Sequence, residues 1–193
     1  MLPCCHTKVS NDLFFNAMLT TSLTPLMAEV VWMVKAVATQ VVPAKLELAM
    51  ILSSRSRDPR DQRRALEYFE EVLEKDPSNG ATLLAMARHL DFTNGGAPVQ
   101  IEQLYRRAVT AIDGDARLAR GRPAIQPWEP RLSLATYLEF KRKDPQRAGS
   151  MYEEAVRLAP YQPECLLALG QFRKTVMEDI DGAEAMFHKA LDA

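Results

Sequence analysis

The stretch QRAGSMYEEAVRLAPYQPECLLALG, Gln146 to Gly170, decides the fold. Ala148, Tyr152 and Ala155 stand at i, i+4 and i+7, so they share one face of an α-helix. The small residues let a neighbouring helix come close, and the ring fills the gap one turn later. Pro160 follows and cannot continue a helix, and it disfavours helical geometry in the residue before it. A sharp turn is therefore expected there. A new helix should run from about Pro163 to Thr175, with Leu166, Leu169 and Gly170 on its apolar side.

The same pattern recurs on both sides. RRALEYFEEVLEKDPSNGATLLAMA from Arg63 carries Ala65, Phe69, Val72 and Pro77, and a following helix is expected over about Asn79–Leu90 with Leu83, Met86, Ala87 and Leu90 inward. DGAEAMFHKALDA from Asp181 carries Ala183, Phe187 and Ala190. A weaker copy, VQIEQLYRRAVTAID from Val99, carries Ile101, Tyr105 and Ala108. The copies lie 36, 47 and 35 residues apart. Helix, short turn, helix, proline turn is the repeating unit.

This unit resembles the tetratricopeptide repeat, a helix hairpin of about 34 residues. Leu166, Leu169 and Gly170 with Ala183, Phe187 and Ala190 match its motif, as do Ala65, Phe69 and Pro77 and, again, Ala148, Tyr152, Ala155 and Pro160. The copy at Ile101 departs, with Ile at the small position and Asp113 where proline is usual. YLEFKRKDPQRAGSMYEEAV, with Trp128, Tyr137 and Phe140 nearby, is also similar to the half-a-TPR repeats of RNA-processing scaffolds. The resemblance implies an all-α, right-handed superhelix of antiparallel hairpins at 44–78, 79–113, 128–161 and 162–193. A loop insertion at 114–127 holds Arg117, Arg120 and Arg122, and an N-terminal extension occupies 1–43.

In this family the first helices line a concave groove. Carried over, the groove comprises Met50, Leu84, Arg88, Tyr137, Phe140, Leu167, Gln171 and Lys174, with Ser54, Asp91 and Ser133 beside them. Its mixed, apolar-floored character suits an extended peptide or an amphipathic helix. One subclass of the family grips the acidic C-termini of chaperones with inner-face lysines and asparagines. Met50, Ser54, Ala85, Pro130 and Leu134 stand at those places, so that carboxylate clamp is absent and no tight binding of such a peptide is expected.

Composition agrees with a binding role. With 24 basic and 25 acidic residues the net charge is -1, which removes the counterion-release drive of non-specific nucleic-acid binding. Nucleic acid is therefore not an expected partner; other proteins are, through the groove and the ends. The run Arg55–Arg64 (RSRDPRDQRR) reads as a turn with a solvated charged edge, Asp58-Pro59 starting the bend and Asp61 the N-cap. Cys4, Cys5 and Cys165 form no disulfide framework and fit a reducing compartment, and Cys4-Cys5-His6 lacks a second ligand pair for zinc.

Thr24–Val42 is the most apolar stretch. Glu29, Lys35 and Gln40 within it argue for a helix buried in protein and against a membrane span. A divergent hairpin, with helices near Asp12–Thr21 and Pro25–Val41, is the expected use of this region, and an interface helix is the alternative. The chain stops three residues after Ala190, so another subunit or further repeats are expected to cover the last hairpin.

No nucleotide, metalloprotease or hydrolase motif is present. His6, His89 and His188 fall in separate units and read as surface or capping residues; Glu70-Glu71, Glu102 and Glu153-Glu154 read as solvated helix faces. The expectation is a non-enzymatic scaffold without cofactor or metal, a subunit or assembly factor of a multiprotein complex. A structural subunit of a ribonucleoprotein particle is the alternative. Cytoplasm is the default location, and an organellar or ciliary assembly is compatible.

Overall fold

The chain is described by a computed structural model over residues 43–118 and 125–193. The helices expected near Asp12–Thr21 and Pro25–Val41, Cys4-Cys5-His6 and the loop residues Arg120 and Arg122 lie outside the described residues. The chain divides into two compact units, Met1–Ala44 and Lys45–Ala193, and the second holds the helix pairs.

All regular structure among the described residues is helical. The helices are α1 (43–55), α2 (Pro59–Lys75), α3 (Gly80–Thr93), α4 (Pro98–Leu118), α5 (Trp128–Tyr137), α6 (Pro145–Leu158), α7 (Pro163–Phe172) and α8 (Ile180–Leu191). Each of α5 and α7 ends in a five-residue π turn, Leu138–Arg142 and Arg173–Met177. Packing is most extensive within the pairs α3/α4, α5/α6 and α7/α8. Successive pairs join through α2–α3, α4–α5 and α6–α7, and their first helices also meet, α3 with α5 and α5 with α7.

Local chemistry sets the boundaries. Asp58, Asn79, Asp144 and Asp179 cap α2, α3, α6 and α8, each accepting from a backbone N–H of the first turn. A cap of this kind is worth about 1 kcal/mol. The α2 cap is thus Asp58, with Pro59 as the first helical residue, and not Asp61. Proline presets the helical φ and has no N–H to waste at that position, which moves the start three residues forward. At the other ends, Asp76 before Pro77 and Ala159 before Pro160 adopt nearly the same geometry (φ -136, ψ 87 and φ -135, ψ 74). The following proline pushes both out of the helical region.

The loop expected from residue 114 begins later, because α4 continues through Gly114 to Leu118. A single interior glycine weakens a helix by only about 1 kcal/mol, and no proline intervenes before Pro123.

The small and aromatic positions form the core. Ala65, Ala108, Ala148, Ala155 and Ala183 are buried, as are Phe69, Tyr105 and Tyr152; Phe187 and Ala190 of α8 are half-buried. Each second-helix ring meets a ring on the first helix of the next pair: Phe69 with His89 (5.9 Å between centroids), Tyr105 with Tyr137 (5.5 Å) and Tyr152 with Phe172 (5.2 Å). These ring contacts step along the stack. Within the last pair, Gly170 lets Phe187 in, since a Cβ at Gly170 would stand 2.7 Å from its ring.

Candidate protein-interaction surface

The first helices α1, α3, α5 and α7, with the π turns that follow α5 and α7, carry every residue assigned to the groove, and the structure separates them into two groups. Met50 (43% exposed), Phe140 (58%) and Leu167 (50%) present apolar side chains to solvent. Arg88, Gln171 and Lys174 are exposed as well. Leu84 and Tyr137 are instead buried and belong to the core. α3 is covered by α2 on one side and by α4 and α5 on the other, so Leu84 has no route to solvent. Tyr137 turns inward because its ring is the partner of Tyr105, and its hydroxyl donates to the Pro98 carbonyl at 2.9 Å. Neither can anchor a ligand.

The exposed members are held in different ways. The Arg88 guanidinium donates from Nε and a terminal nitrogen to Ser133 Oγ (3.1 and 2.9 Å), which ties α3 to α5. Asp91 faces Lys141 at 3.8 Å; burial raises its carboxyl pKa and Lys141 opposes that. Phe140 sits on the π turn at the end of α5 and edges an open hollow of about 390 Å³ that Pro145, Thr175 and Val176 also line. Gln171 and Lys174 are free side chains. Exposed apolar side chains on the first helices, with exposed polar groups on the same elements, can hold a chain segment.

Two residues expected at the surface, His89 and Glu102, are in the interior. His89 is buried, with Ser53 Oγ 2.9 Å from Nδ1 and Phe69 against its ring, and burial pushes its pKa below the usual imidazole value. Its signal was available: Phe69 and Tyr152 each meet their partner ring 20 residues on, at His89 and Phe172.

Glu102 is buried under three guanidinium groups, from Arg147 (2.6 Å), Arg142 (3.0 Å) and Arg106 (3.1 Å). Burial raises its pKa, but the hydrogen bonds from Arg147 and Arg106 outweigh that and hold it ionised. Arg131 is buried as well. It makes a two-pronged contact with Asp113 (2.9 and 2.7 Å), one with Glu154 (2.9 Å) and one with the Pro127 carbonyl (2.8 Å). Asp113, where proline is usual, is thus the anchor of a staple that joins α4 to α5 and α6 across the inserted loop.

Elsewhere among the described residues titratable groups do not converge. His188 is exposed next to Glu184. Cys165 is buried, and burial pushes its thiol up to about 12, so it is unreactive at neutral pH. Among the described residues no cluster of His, Cys, Asp or Glu could hold a metal ion, and no helix is long and apolar enough to cross a membrane.

No family model matches the sequence, and no curated protein matches it. Solved structures do resemble the fold. MamA MSR-1 superposes with a TM-score of 0.48 at 18% identity, over 78% of this chain and 75% of that one. TTC0263, a thermophilic TPR protein in Thermus thermophilus, gives 0.47 at 19%, over 78% and 73%. The Cut9-Hcn1 hetero-tetramer of the APC/C gives 0.45 at 22%, over 67% of this chain and 22% of that one. These superpositions are partial, and the assignment rests on the helix pairing, the proline turns and the ring contacts. The fold is an all-α, tetratricopeptide-like stack of antiparallel helix pairs.

Proposed function

We propose that the protein is a non-catalytic scaffold, a subunit or assembly factor of a multiprotein complex, which holds a partner on the exposed face of its first helices. The observation that carries this reading is the exposure of Met50, Phe140 and Leu167, three large apolar side chains left near half-exposed on α1, at the end of α5 and on α7, with Arg88, Gln171 and Lys174 also exposed on first helices or the turns that end them. Buried aromatic and aliphatic anchors supply most of the affinity at protein interfaces, with polar groups setting register. The places a chaperone carboxylate clamp requires are taken by Met50, Ser54, Ala85, Pro130 and Leu134, so the fitting ligand is an apolar-anchored segment.

The test is a double substitution, Phe140→Ala with Leu167→Ala, in the full chain. Both side chains are exposed, so thermal stability should change little. Recovery of the native complex by affinity purification should fall about tenfold or more, as for loss of interface hot spots. Unchanged recovery with an intact fold would remove this face as the binding surface.

A further inference from the structure

The turn between α1 and α2 and the first turns of α2 carry charge that the fold leaves unused. The run Arg55–Arg64 holds five arginines and two aspartates. Both aspartates are engaged locally: Asp58 accepts from the Arg60 backbone N–H at 2.8 Å, and Asp61 lies 3.7 Å from Arg64. Arg63 Nε turns back to the Pro59 carbonyl at 3.3 Å. Among the described residues, Arg55, Arg57, Arg60 and Arg63 have no carboxylate at ion-pairing distance.

Beside these arginines lies a cavity of about 690 Å³ between α2 and the end of α3. Leu66, His89 and Leu90 form its floor; Arg57, Arg63 and the exposed Phe92 form its rim. Its volume falls in the range of ligand pockets. The corresponding place one repeat on is occupied. Glu102, 36 residues after Leu66, is gripped there by Arg142 and Arg147, and the Tyr137 hydroxyl is bonded to the Pro98 carbonyl. The pocket also lies away from the proposed groove: Arg88 reaches Ser133 on α5, whereas the next residue, His89, faces Ser53 and Phe69.

We propose that this pocket binds an acidic peptide segment of a partner protein, with one Leu, Met or Phe side chain on the apolar floor and carboxylates on the arginine rim. It rests on the scaffold reading and adds a second contact site to it. Two features favour a peptide. Arg57 and Arg63 stand on the pocket rim and Arg60 lies one helical turn from Arg63 on α2, so several guanidinium groups without a carboxylate partner are available to carboxylates spaced along a chain, more than one small anion needs. The apolar floor rewards a hydrocarbon side chain, which a phosphate backbone does not offer, and the whole chain's net charge of -1 gives a polyanion no general attraction.

The experiment is selection of a pooled peptide library, one Phe, Leu or Met flanked by randomised residues, on the full chain. Counter-selection uses the double variant Arg57→Glu, Arg63→Glu. Both arginines are exposed, and circular dichroism melting checks that the variant folds. Enriched peptides should carry Asp or Glu beside the apolar residue. They should bind the variant and a Phe92→Ser variant at least about tenfold more weakly, and should lose affinity when the anchor becomes Ser. The Phe140→Ala, Leu167→Ala variant should bind them normally. No enrichment, enrichment without acidic residues, or equal binding to the charge-reversed variant would overturn the proposal. So would duplex RNA or phosphatidylserine vesicles binding through these arginines while the peptides do not. In each of those cases the groove reading stands or falls on its own substitutions.

Discussion

The junction between the α3/α4 and α5/α6 pairs and the junction between α2 and α3 occupy equivalent places in the stack and are built differently. At the former, Tyr105 meets Tyr137, Glu102 gathers three arginines, and Arg131 joins Asp113 to Glu154. At the latter, Phe69 meets a histidine, a leucine stands where Glu102 would, and the arginines face a cavity. One junction uses its charges internally, with each paired in a partly dry setting. The other keeps its charges for solvent or a ligand. The difference teaches that the repeat pattern fixes how helices stack, while the residues around it decide whether a seam is locked or left available.

Removing a ring should separate the two junctions most clearly. Tyr105→Ala should lower global stability by about 4 kcal/mol, as expected for loss of a large buried ring. Phe69 belongs to a small separate cluster with Ala49 and Ala65, so Phe69→Ala should melt the α1/α2 pair locally and leave the rest folded. Urea melts followed by far-UV circular dichroism, with hydrogen exchange to locate the loss, distinguish the two; equal global effects would erase the contrast.

Next in size is the staple. Arg131→Met removes the buried guanidinium that joins Asp113 to Glu154 and, since both carboxylates keep part of their hydration, should destabilise by about 2 kcal/mol, below the range for breaking a fully buried ion pair. Glu102→Gln, whose arginines are partly exposed, should lose about half as much. Chemical denaturation measures both. No loss for Arg131→Met would mean the seam is held by packing alone.

The open junction should show a pH dependence in the imidazole range, whereas that of the closed one falls in the carboxylate range through Glu102. The usual imidazole value is 6.5, and burial lowers that of His89 in the folded chain. Between the folded value and 6.5 the unfolded chain therefore binds more protons, so stability is full above 6.5 and falls as pH drops through that window. Denaturation at pH 7 and pH 5 should show this loss in the native sequence and a smaller one in His89→Leu. A loss of the same size in both would assign it to other groups.

The smallest effect concerns the turns after the π segments. Lys143 (φ 54) and Glu178 (φ 56) hold a left-handed conformation that strains a side-chain-bearing residue by about 1–2 kcal/mol. Glycine there should stabilise by about 0.5–1 kcal/mol after its own entropic penalty, read as a rise in Tm. A fall would show that these side chains make contacts that outweigh the strain.

The sequence displayed what is local and periodic. Ala148, Tyr152 and Ala155, their counterparts and the two proline turns are readable because helix period and proline geometry act within a few residues. Glu102 and Arg131 were illegible for the opposite reason, since Arg147 and Glu102 lie 45 residues apart and Arg131 and Asp113 lie 18 apart. A charged residue at a helix face looks solvated until its distant partner is placed. Leu84 and Tyr137 failed as groove residues because a position on a first helix can point to the next pair as easily as to solvent, which depends on the crossing of α3 with α5. Gly114 did not end α4, as one glycine is too weak a signal against the helix formers around it.

The central claim is that partners sit on the exposed face of the first helices. A photoreactive phenylalanine analogue placed at Leu167 on α7 or at Phe140, and for comparison at Thr110 on the second helix α4, tests it directly in the native complex. Crosslinks to a partner protein are expected from Leu167 and Phe140 and none from Thr110. Crosslinks from Thr110 alone would put the partner on the other face and contradict it.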